Sequence, residues 1–251
     1  MHRRAFVGAL SALGLTHAAP EKRTSFYAVQ NYKLKNGTEL ARLHDFYSQT
    51  LLPAFNRIHT GPKIYLEAVI APHTPQLTVI HGFTSLEEMW AMHTKMTQDE
   101  AVAKALQAME AAEPAFEAID SALLQAADFS PEIKLEAGPA PRIFELRIYH
   151  SLTWRQLGYL QDRFRGPEIK IFHRCGIHPI LYATTVFGAN TPNLTYLIPF
   201  TDLAAREKAW NTFNADPEWQ KVRKESLDKG GQIVNDSNIS LFKAAPYSPV
   251  R

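Results

Sequence analysis

The sequence predicts an α+β fold in which one strand–helix–strand–strand–helix–strand unit is used twice. Three observations carry this expectation. A thirteen-residue stretch, Thr74 to Leu86, recurs as Thr191 to Leu203, with seven positions identical and an offset of 117 residues. The same offset, run without gaps from Phe26 to Leu86, gives 16 identities in 61 pairs, among them Tyr32 with Tyr149, Asp45 with Asp162, Arg57 with Arg174 and Tyr65 with Tyr182. Near the ends Phe129-Ser130-Pro131 pairs with Tyr247-Ser248-Pro249, one residue out of step. A fixed period of this length is the mark of a duplicated structural unit.

In the first copy, Phe26 to Leu34 is rich in aromatic and β-branched residues and runs into the turn signal Asn36-Gly37, which predicts a strand. From Thr38 to His59, Leu40, Leu43, Tyr47, Leu51, Ala54 and Ile58 recur at helical spacing, and Pro53 should kink or restart that helix. Lys63 to Ile70 and Gln76 to Phe83, joined by Pro72-His73-Thr74-Pro75, form a hairpin. Ser85 with Glu88 makes a capping box for a second helix, and Leu123-Leu124 lies in a final, Ala-rich strand. The second copy repeats the plan. Ile143 to His150 is a strand, and Thr153 with Gln156 caps a helix that Pro167 interrupts. Ile180 to Phe187 and Asn193 to Phe200 form a hairpin, and Asp202 caps the next helix. Asp216-Pro217 restarts that helix, Gly230-Gly231 stops it, and Gln232 to Lys243 holds the last strand.

Each copy is thus a ferredoxin-like βαββαβ unit, an antiparallel sheet with helices on one face. The uncovered faces of two such sheets need cover, and the direct solution is to pack them together into an α/β barrel. The predicted organisation is an N-terminal signal over 1–19, a first repeat over 25–131, a linker over 132–141 and a second repeat over 142–249. Arg3-Arg4-Ala5-Phe6, an apolar run to Leu15 and the small residues Ala18 and Ala19 resemble a twin-arginine export signal, which implies a periplasmic or secreted protein. That apolar run is too short for a stable membrane span.

Composition narrows the function. With 45% hydrophobic residues, 21% charged residues and a net charge of +2, the chain has no basic block to suit nucleic acid. The single Cys175 ends an apolar helical stripe and reads as packing, as do Trp90, Trp210 and Trp219. There is no phosphate loop, nucleophile elbow or dinucleotide fingerprint. The ten histidines show no metal-ligand spacing, so no metal site is predicted.

Strand alternation supplies the candidate site. If Phe144, Leu146 and Ile148 face the helices, then Glu145, Arg147 and Tyr149 point into the barrel interior, with Gln30 and Tyr32 from the first copy and Tyr65, Glu67 and Tyr182 from the second strands. Buried charges need partners, so Glu145 and Arg147 either pair with one another or line a ligand pocket in which Arg147 holds an anionic group.

Phe144-Glu145-Leu146-Arg147-Ile148-Tyr149, Phe200-Thr201-Asp202-Leu203 with the following Ala204-Ala205-Arg206-Glu207, Ala215-Asp216-Pro217-Glu218-Trp219 and the terminal Tyr247-Ser248-Pro249 resemble the NIPSNAP domain. The first repeat resembles a diverged copy, with Ala28 opposite Glu145 and Gln30 opposite Arg147. The resemblance implies a dimeric α/β-barrel fold, whose superfamily includes haem-degrading and quinone-forming monooxygenases. The NIPSNAP family has no agreed chemistry, so the cofactor stays open and so does the question of an enzyme. Two functions fit: a module binding a small apolar or aromatic ligand between its sheets, or an oxidoreductase or monooxygenase using the same space, haem- or metal-linked, with His81 as the one candidate iron ligand. The chain is expected as a monomer with an internal pseudo-dimer or as a homodimer.

Overall fold

The computed structural model describes residues 23–111, 113–135 and 142–251. The expected export signal and most of the expected linker lie outside the described residues. Eight strands close into one antiparallel barrel in the order β1-β3-β2-β8-β5-β7-β6-β4. The first four are β1 (Phe26–Lys33), β2 (Lys63–Ile70), β3 (Gln76–Phe83) and β4 (Ala118–Ala126). The second four are β5 (Ile143–His150), β6 (Leu181–Phe187), β7 (Asn193–Phe200) and β8 (Asp236–Ala244). The helices are α1 (Glu39–Phe46), α2 (Leu52–Ile58), α3 (Leu86–Gln98) and α4 (Glu100–Glu110), then α5 (Trp154–Arg163), α6 (Ile169–Arg174), α7 (Leu203–Ala215) and α8 (Pro217–Gly230).

The duplication is visible element by element. β1 and β5, β3 and β7, and α3 and α7 begin 117 residues apart, while β4 and β8 begin 118 apart. Each copy supplies a four-stranded sheet, and each sheet's outer strands pair with the other copy, β2 with β8 and β4 with β6. Both of these seams carry a register shift, whereas pairing inside each copy runs without one. Closure leaves no free sheet edge.

Local sequence explains the helix boundaries. Ser85 accepts from the Glu88 amide at 3.2 Å, and the Glu88 carboxylate reaches back to the Thr84 amide at 2.7 Å. Thr153, Asp202 and Asp216 accept from Gln156, Ala205 and Trp219 in the same way. Pro53 falls in the first turn of α2, so the first helix restarts there as expected. Between α1 and α2 lies a π-helical turn, Tyr47–Leu51, and its counterpart Phe164–Glu168 separates α5 from α6. Gly231, at φ +69°, ends α8 in a conformation that favours glycine.

The apolar residues form three cores. One lies under the helices of the first copy around Tyr47, Tyr65, Leu77 and Val79. A second lies under those of the second copy around Phe164, Phe172, Tyr196 and Trp210. The third fills one end of the barrel, with Tyr27, Ile64, Leu66, Phe144, Leu197 and Phe242. Cys175 is buried in the second core, as are Trp210 and Trp219. Trp90 departs from the packing expectation: it lies 67% exposed on α3. Among the described residues no helix is long and apolar enough to cross a membrane.

Candidate functional site

The strand faces are the reverse of the sequence expectation. Phe144 and Leu146 belong to the core inside the barrel, and Leu146 and Ile148 line its cavity. Glu145, Arg147 and Tyr149 therefore point outward, beneath the helices. Gln30, Tyr32, Tyr65, Glu67 and Tyr182 share that outward side, so none of the eight candidate residues lies in the barrel interior. The physical reason is that a closed barrel has two apolar surfaces to satisfy. The β5 face with Phe144 seals the interior, and polar groups on the other face find partners on the overlying helices.

Those partners are specific. The Glu145 carboxylate is fully buried and accepts from Arg147 Nε, from Arg206 Nε and, at 3.1 Å, from Trp210 Nε1. The Arg147 guanidinium stacks 3.6 Å over the Trp210 ring and donates from Nη1 to the Tyr149 hydroxyl at 2.9 Å. Burial opposes its charge, but Tyr196, Tyr149 and Glu145 together hold its pKa above the ordinary arginine value. The structure thus realises the pairing of Glu145 with Arg147 and adds α7 to it. A second buried pair lies further along the same layer, where Arg163 Nε donates to Glu168 at 2.7 Å. Burial raises the Glu168 pKa, against the pull of Arg163.

The remaining candidates are dispersed. Tyr32 packs edge-on against Tyr47 and Phe116, and its hydroxyl donates to Gln30 at 3.3 Å. Tyr65 packs against Tyr47 and Tyr247. Glu67 sits at the β2–β8 seam between His44 and Lys243, each 3.2 Å away. The close approach of His44, with Lys243 adding to it, holds its carboxyl below the usual range against the opposing effect of burial. Tyr182 stacks on Tyr196, and neither hydroxyl has a hydrogen-bond partner among the described residues. His81, the candidate iron ligand, does not fit that role. It is 5% exposed, its ring packs 4.4 Å from Phe55, and its Nε2 lies 3.1 Å from the Tyr65 hydroxyl. Burial, with the nearby His59 and Lys63, pushes its pKa down to about 3. No group of three or more metal-ligating side chains exists among the described residues.

What alternation missed is the chamber itself. The barrel holds a cavity of about 640 Å³. Its inner walls are apolar, from Tyr27, Val29, Ile80, Leu124, Leu146 and Phe242. Burial pushes the Tyr27 hydroxyl up to about 12, so it is a neutral hydrogen-bonding group there. Toward the end where the β2–β3 and β6–β7 hairpins turn, the lining becomes polar, with Asn31, Gln76, Thr185, Thr195 and Ser240. Both copies contribute an asparagine-centred cluster to this belt, on β1 in the first and on β7 in the second. Asn31 accepts from Thr78 at 2.8 Å and from Gln76 at 3.3 Å, while Asn193 accepts from Thr185 at 3.0 Å and from Thr195 at 3.2 Å. Gln76 and Asn193, like Thr78 and Thr195, are 117 residues apart. Lys33 paired with Asp120 at 2.6 Å, His73 and Asn190 also line this end. The sequence signal was present in β3 and β7, where Gln76/Thr78 and Asn193/Thr195 alternate with apolar Leu77/Val79 and Leu194/Tyr196.

A tandem pair of ferredoxin-like units closed into one barrel, with a chamber inside and charged networks under the helices, defines the class of this protein. Comparison with known proteins agrees. The sequence model of the NIPSNAP family matches residues 142–249, so the second repeat is a NIPSNAP domain. Among solved structures the chain is similar to a candidate monooxygenase from Lactobacillus acidophilus NCFM, at 8% identity and TM-score 0.56, covering 87% of this chain and 93% of that one. A candidate monooxygenase from Fusobacterium nucleatum matches at 10% identity and TM-score 0.56, covering 89% and 94%. An anthrone oxidase-like protein matches at 12% identity and TM-score 0.55, covering 90% and 92%. These likenesses span both repeats and establish the barrel fold. No curated protein matches the chain.

Proposed function

We propose that this protein binds a small, largely apolar or aromatic molecule inside its barrel. The observation that carries the reading is the 640 Å³ chamber with apolar walls and a polar belt at one end. Ligand pockets of this size combine an apolar lining with a few placed polar groups. The body of the ligand would lie against Val29, Leu146 and Phe242, and its polar group would meet the belt of Asn31, Gln76, Thr185 and Thr195. This places the ligand between the two sheets but changes its contacts: Glu145, Arg147 and the other outward residues act on the helices. Native mass spectrometry of protein purified from its own host tests the reading, together with binding of 1-anilinonaphthalene-8-sulfonate. Val29→Phe and Ile148→Phe fill the chamber at an overpacking cost of about 1–3 kcal/mol, which a melting curve monitors. Retention of a bound molecule that both variants abolish while still folded supports the proposal. A chamber empty after native purification, with probe binding indifferent to both variants, ends it.

A second reading, an oxidoreductase that uses the same chamber, is supported by the monooxygenase and anthrone-oxidase descriptions of the similar structures. Dioxygen consumption on adding an anthrone, lost in Val29→Phe, would favour it over simple binding. We further infer export, which the Arg3-Arg4 stretch supports, and a monomeric state, which closure of the barrel within one chain supports. Cell fractionation and light scattering test these two.

A further inference from the structure

The second repeat carries a cleft of its own, apart from the barrel chamber. It measures about 300 Å³ and lies between α8, the start of β8 and the end of β5. Trp219, Arg223 and Leu227, spaced four apart on one side of α8, form one wall. Tyr149, Arg163 and Ile233 are among the residues that complete it.

Its charge is arranged as a receptor for an anion. Arg163 is held, its side chain only 8% exposed, by Glu168 on Nε and by Ser226 on Nη1 at 3.2 Å, with its guanidinium 5.0 Å from the Trp219 ring centre. Those bonds leave Nη2 without a partner among the described residues. Arg223 is exposed and forms no ion pair among the described residues. The Tyr149 oxygen accepts from Arg147, so its own proton is available to a ligand. The acid at the cleft, Asp236, is already engaged by His150 at 3.1 Å and by Asn235 at 3.0 Å.

The internal repeat provides the control. At the offset of 117, Arg163, Glu168, Arg223 and Ser226 correspond to Phe46, Leu51, Leu106 and Met109. The first copy carries apolar residues at all four of these positions. The duplicated frame therefore does not need these charges to hold α8 against the sheet.

We propose that this cleft binds a small carboxylate with a short apolar body, such as an aromatic acid. The two guanidinium groups and the Tyr149 hydroxyl take the carboxylate, and Trp219, Leu227 and Ile233 cover the body. The site is independent of the barrel chamber. Titration of the full chain with benzoate, followed by calorimetry and by the Trp219 indole N–H signal, tests it. Saturable binding at millimolar concentrations is expected, weakened about tenfold by Arg223→Gln and less by Tyr149→Phe, because charged hydrogen bonds contribute more than neutral ones. Arg223 is exposed, so its variant should melt like the parent. Inorganic phosphate should bind more weakly than benzoate, and Val29→Phe should leave benzoate binding unchanged. Absence of saturation, equal binding by Arg223→Gln, or loss of binding in Val29→Phe with Arg223→Gln unaffected would each overturn the proposal, as would phosphate binding as well as benzoate.

Discussion

The two helix-covered layers occupy the same frame and hold different chemistry. In the first repeat, Ala28, Gln30, Met89 and His93 stand where the second has Glu145, Arg147, Arg206 and Trp210. The first layer is held by Tyr32, Tyr47 and Tyr65 packed ring against ring, with His59, His81 and Lys63 buried near its end. The second is threaded by Arg206–Glu145–Arg147–Tyr149 and by Arg163–Glu168. The folding frame thus tolerates either an aromatic or an ionic filling at this depth. What the ionic filling requires is completeness, because each buried charge must keep its partner.

The largest effect should follow from breaking that completeness. Glu145→Ala leaves the largely buried Arg147 and the partly exposed Arg206 without their shared carboxylate and is expected to destabilise the protein by about 3 kcal/mol. Chemical denaturation measures the loss. The triple variant Glu145→Ala/Arg147→Gln/Arg206→Met copies the first repeat's residues and should recover much of it, since an apolar filling of similar shape can match a buried ion network. If the triple variant is as unstable as Glu145→Ala alone, removal of a charge partner is not the cause.

The next effect belongs to the first repeat. His81 corresponds to Ile198, and its pKa is pushed down to about 3 by burial. Above pH 6.5 the ring is neutral in folded and unfolded chains alike, so its contribution is complete. As pH falls from 6.5 toward 3 the unfolded chain gains a proton that the folded chain does not, and stability declines by about 1.4 kcal/mol for each unit of separation, a few kcal/mol at most. Burial also lowers the His59 pKa, so it contributes in the same direction. His81→Ile should flatten this acid limb and retain the His59 part. At neutral pH it should cost only about 1 kcal/mol, because the Tyr65 hydroxyl loses its partner. The hydroxyl of Tyr182, the counterpart of Tyr65, already has no hydrogen-bond partner among the described residues. An acid limb unchanged in His81→Ile would move its origin to other groups.

These residues also explain what the sequence discloses and what it conceals. Element order, the capped helix starts, the restart at Pro53 and barrel closure are legible, because caps and repeats are local or periodic signals. Which residues of β5 share a face is legible too. Which face meets the helices is not: Phe144-x-Leu146-x-Ile148 satisfies a barrel interior as well as a helix layer. The partners that decide it, Arg206 and Trp210, lie some sixty residues away on α7. The clue was on β7, where apolar Leu194, Tyr196 and Ile198 alternate with Asn193 and Thr195, and the β5–β7 register puts Glu145 beside Ile198 and Arg147 beside Tyr196.

The smallest expected effect probes a feature the repeats share. Asp99 and Asp216 are counterparts, as are Arg57 and Arg174. Asp99 caps α4 through the Val102 amide at 3.1 Å and pairs with Arg57. Asp216 caps α8 through the Trp219 amide at 2.9 Å, while Arg174 holds it at 3.0 Å through Nε and 2.7 Å through Nη2 and also reaches Glu218 at 2.6 Å. Removing either cap with alanine should cost about 1 kcal/mol. The arginines are well exposed, so their ion pairs add at most about 1 kcal/mol. The Asp216→Ala loss should be the greater of the two, because it removes charged hydrogen bonds from two nitrogens of Arg174 where Asp99→Ala removes one from Arg57. Paired melting curves for Asp99→Ala and Asp216→Ala measure the difference. Equal losses would mean that the backbone cap alone sets the stability of these helix starts, and that the second repeat's extra ionic contacts at the surface, unlike those at Glu145, contribute nothing.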